Sequence, residues 1–152
     1  CLDAINTYYG RGGIPIGAFL AKEKAAVFAL GEHGSTFGGN PLACAAGYAT
    51  LKFVIKNDIP GKVKKNGVYL IAQLNKLKSK YDFVAEVRGR GLLAAIQLNS
   101  DLTDKIVKSC LERGLLLNPV KPNAIRFMPP LTIAKKDIDA AIGILDKVLE
   151  KA

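Results

Sequence analysis

The sequence is poor in the residues that staple small folds or hold metals. Its 152 residues include three cysteines and one histidine. Cys1, Cys44 and Cys110 are too few and too far apart for a disulfide framework or a thiolate metal site. A single His33 leaves a metal centre little to work with, so no metal ligand is assigned. No signal peptide and no apolar run of membrane-spanning length is visible, which points to the cytoplasm and away from a membrane partner. Repeats and low-complexity tracts are lacking as well. Acidic residues are also scarce: 13 Asp and Glu face 22 Lys and Arg, a net charge of +9. Such an excess invites a nucleic-acid reading, because Lys and Arg displace counterions from phosphates. The charges are mostly lysines scattered along helical segments, without an aromatic-interleaved basic stripe or a recognition motif. They read as a solvated surface, and no nucleic-acid partner is expected.

What is present suits one domain with a core, since 49% of the residues are hydrophobic. The most informative stretch runs from His33 to Ala46, where Gly34, Ser35, Thr36, Phe37, Gly38 and Gly39 lead into Asn40-Pro41. The glycines permit positive φ and close approach of a ligand or another backbone, and Ser35 and Thr36 offer hydroxyls beside backbone N–H groups. Asn40 is a good N-cap and Pro41 suits the first helical position, so the loop ends at the positive end of a helix. It reads either as a capped Gly-rich connection or as an anion-binding loop.

Ile14 to Ala21 reads as a buried strand and Lys22 to Phe28 as a short helical stretch. The helix opened by Asn40 is expected to reach about Asn57, with Leu42, Leu51, Phe53 and Val54 in apolar contact and a small-residue side at Ala43, Ala46, Gly47 and Thr50. A second, amphipathic helix is expected from about Lys62 to Lys80. Phe83 to Arg88 and Leu92 to Leu98 read as strands joined at Gly89-Arg90-Gly91, a tight reversal or bulge that could also admit an anion. Ser100 or Thr103 is a candidate cap for the next helix, which Arg113-Gly114 should end. Leu115 to Asn118 and Ala124 to Phe127 read as short strands around a Pro119 to Asn123 turn, and a last helix spans about Lys135 to Glu150. The fold class expected is α+β, a small antiparallel or mixed sheet covered by helices. Period two sets Arg126 on the opposite sheet face to Ile125 and Phe127, as a solvated or salt-bridged arginine.

Four strings occurring in one order narrow these alternatives: Gly12-Gly13-Ile14-Pro15-Ile16-Gly17-Ala18, His33 to Gly47, Val87-Arg88-Gly89-Arg90-Gly91-Leu92 and Ile125-Arg126-Phe127-Met128-Pro129-Pro130-Leu131. Over roughly residues 11 to 151 the sequence resembles the class III, fold-type I aminotransferases that depend on pyridoxal phosphate, most closely their acetylornithine/ornithine branch. The resemblance implies amino-group transfer between N-acetylornithine or ornithine and 2-oxoglutarate. It implies that Thr36, helped by Ser35, reaches across a dimer interface to the cofactor phosphate of a neighbouring subunit. It also implies that Arg126 handles a substrate carboxylate, directly or while paired with an upstream acidic group; a planar guanidinium suits this because it can donate two parallel hydrogen bonds.

The same resemblance sets the expected organisation: an irregular leader over residues 1–10, a remnant of the large cofactor domain with its phosphate loop over 11–39, a connecting helix over 40–57 and a small C-terminal domain over 58–152. Seven residues before Pro15, where the family carries the lysine that anchors the cofactor as a Schiff base, stands Tyr8. No catalytic residue is therefore assigned, and the chain is expected to be a C-terminal piece, inactive and without bound cofactor alone. Its partners would be further copies in a homo-oligomer and the missing N-terminal large domain or a full-length subunit. The alternative is a non-catalytic module for self-association or protein interaction.

Overall fold

In a computed structural model, the structure describes residues 14, 16–17 and 21–152. The expected leader and Tyr8 lie outside the described residues, as does most of the expected strand from Ile14 to Ala21. The chain divides into two compact units, Cys1–Asn57 and Asp58–Ala152.

In the first unit, Lys22 to Phe28 forms only a single 3₁₀ turn at Glu23–Ala25. The main element is helix α1, Pro41–Lys56. It starts where the sequence indicates, because the Asn40 side chain accepts a hydrogen bond from Ala43 N at 3.1 Å and Pro41, which has no N–H to satisfy, opens the first turn. The stripe of Ala43, Ala46, Gly47 and Thr50 is half-covered, and a Cβ added at Gly47 would lie 2.9 Å from Ile16 Cδ1. The apolar contact expected for Leu42, Leu51 and Phe53 is not made among the described residues: all three are more than half exposed. Among the described residues up to Asn57, none is buried.

The second unit is a two-layer α+β fold. Helix α2, Ile59–Lys80, begins three residues before the expected start because Pro60 sits in its first turn, where proline is tolerated. Asp58 caps it from a left-handed conformation (φ 45°), accepting from Gly61 N at 3.2 Å. Strands β1 (Val84–Arg90) and β2 (Leu93–Leu98) follow, then helix α3 (Thr103–Leu111), strands β3 (Asn118–Val120) and β4 (Ala124–Phe127), and helix α4 (Lys135–Leu149). The sheet is antiparallel throughout, in the order β1-β2-β4-β3. Gly91, at φ 59°, turns β1 into β2 through a two-residue loop, tighter than the expected Gly89-Arg90-Gly91 reversal. The bulge lies elsewhere, between Val84 and Glu86.

Neither candidate cap of α3 acts as one: Leu102 occupies the N-cap, and the hydroxyls of Ser100 and Thr103 are buried without a protein partner. Pro119 and Val120, expected in a turn, belong to β3. Because β3 is an edge strand, the missing N–H of Pro119 costs the sheet nothing there.

The core forms where one sheet face meets α2, α3 and α4. Leu70, Leu74 and Leu77 of α2, Ile106 and Cys110 of α3, and Ile138, Leu145 and Leu149 of α4 enclose Val84, Ala94, Ile96, Leu98, Ile125 and Phe127. Alternation then commits the intervening strand residues to the opposite, open face.

Candidate functional site

The chemistry-bearing residues occur on two separate stretches, one in each unit. The first is the loop before α1. Glu32 closes a turn by accepting from Ala29 N at 2.7 Å through Oε2, and the His33 ring lies 5.7 Å from that of Phe28. Ser35 and Gly38 then close a second turn, Gly38 N donating to Ser35 O at 3.2 Å. A side chain at Gly38 would crowd Ser35, since an added Cβ would lie 3.1 Å from Ser35 Cβ and 3.3 Å from its Oγ. Of the three loop glycines, only Gly39 takes a positive φ (72°), and it delivers Asn40 to its capping position. Ser35 and Thr36 are exposed. The only carboxylate in the loop, that of Glu32, is already occupied by a backbone N–H. This donor set suits an oxyanion: two adjacent exposed hydroxyls in the loop that leads into the N-terminus of a 16-residue helix.

The second stretch is the open face of the sheet. Register sets Arg88, Ala95, Arg126 and Asn118 in one cross-strand row, as Arg88 pairs with Ala95, Ala95 with Arg126 and Arg126 with Asn118. Sequence alternation therefore placed Arg126 on the correct face, but missed its neighbour. Arg126 Nη2 lies 2.8 Å from the Asn118 side-chain amide. Because a guanidinium only donates, the Asn118 oxygen faces it, and the amide nitrogen donates to Pro119 O at 3.2 Å. Arg126 Nε is buried with no hydrogen-bond partner. Two rows are stitched together at Arg88, which donates to Glu86 Oε2 and Gln97 Oε1, each at 3.0 Å. Gln97 in turn donates to Asn123, and Asn123 to Leu98 O. Reading β3 to its true end would have revealed Asn118 as the partner of Arg126; treating Pro119 as a turn residue concealed it. Lys22 is exposed. No group of three metal-ligating side chains occurs among the described residues, and among them no helix is long and apolar enough to cross a membrane.

The antiparallel sheet layered on helices has the fold of solved fold-type I aminotransferases. The structure superposes on acetylornithine aminotransferase from Elizabethkingia anophelis with a TM-score of 0.76 at 36% identity, covering 82% of this chain and 34% of that one. It superposes on ornithine delta-aminotransferase from Plasmodium falciparum with a TM-score of 0.81, also at 36% identity, covering 90% and 36%. The family model for class-III aminotransferases matches residues 9–149, and the chain belongs to that family. Acetylornithine aminotransferase from Caldanaerobacter subterraneus subsp. tengcongensis is 48% identical over 92% of this chain and 36% of its own length. That from Methanocaldococcus jannaschii is 46% identical over 90% and 34%. The chain thus spans about a third of the length of the relatives it matches.

Proposed function

We propose that this chain is the C-terminal part of a cytoplasmic aminotransferase that moves an amino group between N-acetylornithine, or ornithine, and 2-oxoglutarate, and that it is inactive alone. The observation that carries the reading is the exposed Ser35-Thr36 turn, which offers two hydroxyls in the loop leading into α1 in a class-III aminotransferase chain. Thr36 and Ser35 would hold the phosphate of pyridoxal phosphate carried by a neighbouring subunit. The cofactor supplies the electron sink for amino-group chemistry when bound. Phosphate binding at the loop would orient it through short charge-assisted hydrogen bonds. Arg126 would fix a substrate carboxylate through its remaining guanidinium donors, so that the substrate nitrogen is held in one position during transfer. A primary amine is needed to anchor the cofactor covalently, and Tyr8 offers a phenol at the position where the family has lysine. On this reading the amine is supplied by the large domain of the parent enzyme.

Packing supports the same requirement. Among described residues the first unit buries none of its own, and α1 exposes Tyr48, Leu51 and Ile55 along one side. A segment so exposed is expected to be covered by a large domain and by further copies in a homo-oligomer.

The test is reconstitution. The chain is co-expressed with the N-terminal two-thirds of the Caldanaerobacter relative and assayed for glutamate formation from N-acetylornithine and 2-oxoglutarate. Activity is expected from the mixture and not from either part. A folded but inactive mixture, with the chain associating only with itself, would overturn the proposal in favour of a non-catalytic association module.

A further inference from the structure

The two arginines on the open sheet face occupy one row, on either side of Ala95, yet they are held in opposite ways. Arg88 is paired with the carboxylate of Glu86 at 3.0 Å and with Gln97, which satisfies its charge. Arg126 has no carboxylate within ion-pair distance among the described residues; the group beside it is the neutral amide of Asn118. That amide is itself fixed, because its nitrogen donates to Pro119 O and its oxygen is thereby committed to Arg126 Nη2. The backbone pairing of Asn118 with Arg126 keeps the two side chains on one face of adjacent strands. A buried Nε without a partner leaves a strong donor unused, which a structure rarely tolerates unless something else takes it.

We infer that Asn118 is the positioning residue for Arg126, a neutral latch that fixes the guanidinium plane without consuming its charge. This rests on the reading of Arg126 as a carboxylate-binding residue. An aspartate at position 118 would hold the same plane but would neutralise the cation and compete with any incoming carboxylate. An alanine would leave the charge intact and release the plane. A neutral amide meets both requirements: the side chain is ordered before the ligand arrives, and the remaining N–H donors keep their pull on an anion.

The experiment uses the chain itself, labelled with ¹⁵N-arginine, with 2-oxoglutarate as the probe. The Nε–Hε resonance of Arg126 is assigned by its loss in Arg126→Lys, and that of Arg88 serves as an internal reference. The wild-type Arg126 resonance should move saturably while that of Arg88 stays in place. Asn118→Ala should weaken the apparent affinity about 3- to 10-fold, and Asn118→Asp more than about 10-fold. Asn118→Asp should melt no lower than Asn118→Ala, because it retains the hydrogen bond to Arg126. A merely structural asparagine would instead make binding follow melting temperature, and that result overturns the inference. Unchanged affinity in both variants overturns it as well, while leaving the carboxylate reading of Arg126 in place. A wild-type resonance that does not respond to 2-oxoglutarate overturns that reading and the inference with it.

Discussion

At the scale of single residues, the open sheet face shows how little separates a structural arginine from one available to a ligand. Both Arg88 and Arg126 have an amide neighbour, Gln97 and Asn118, and only Arg88 has a carboxylate, that of Glu86, as well. Asp146 shows the structural version of the same chemistry on the far side of the second unit. Its carboxylate accepts from Lys80 Nζ at 2.8 and 2.9 Å and from the Tyr81 hydroxyl at 2.7 Å, joining the end of α2 to α4. The Lys80 hydrogen bond first, and that of Tyr81 second, hold the Asp146 carboxyl below the usual carboxylate range. A group whose folded pKa is depressed stabilises the fold above its unfolded value, about 4, and loses that contribution as pH falls through the folded one. Thermal melts should therefore show Asp146→Asn less stable than wild type at neutral pH, with the gap closing in acid. A gap that does not change with pH would show that the ion pair contributes nothing. Asp146 is partly exposed and Lys80 half exposed, so solvent keeps the effect modest.

At the scale of elements, the tightest junction is that of α2 against the β1–β2 turn. A Cβ at Gly67 would lie 2.4 Å from the Gly91 carbonyl oxygen and 2.5 Å from its carbon, both backbone atoms that cannot swing aside. Helix propensity alone would favour Gly67→Ala by about 1 kcal/mol. The overlap should win and destabilise by about 1–3 kcal/mol, as overpacked sites do. Denaturant unfolding checks this, and a stabilised Gly67→Ala would show that α2 does not sit on the turn. The elements that could be read directly from the sequence are those whose periodicity is strong and whose partners lie within the chain: α2, α4, β2 and β4. The loop before α1 was legible through Asn40 and Pro41, whose capping chemistry is local. Reading failed where the context was tertiary. Pro119 signals a turn unless it is known to lie at a sheet edge, and Ser100 and Thr103 look like caps until their hydroxyls turn inward. The apolar positions of α1 announced a buried face, which nothing in the described chain covers.

At the scale of the molecule, the apolar side of α1, the hydroxyl turn and the open sheet face are left uncovered by the described residues. The chain belongs to the class-III aminotransferases and spans about a third of the length of the relatives it matches. Exposed apolar side chains on α1 accord with packing against another polypeptide, and the loop before it offers oxyanion donors with no acid of its own left free. The central claim is that Thr36 grips a phosphate carried by a different subunit. The measurement that tests it most directly is the dissociation constant of pyridoxal phosphate from the reconstituted assembly, wild type against Thr36→Val, by equilibrium dialysis. Loss of a hydrogen bond to a doubly charged phosphate should weaken binding about tenfold or more. An unchanged constant in a Thr36→Val assembly that folds and associates normally would contradict the account.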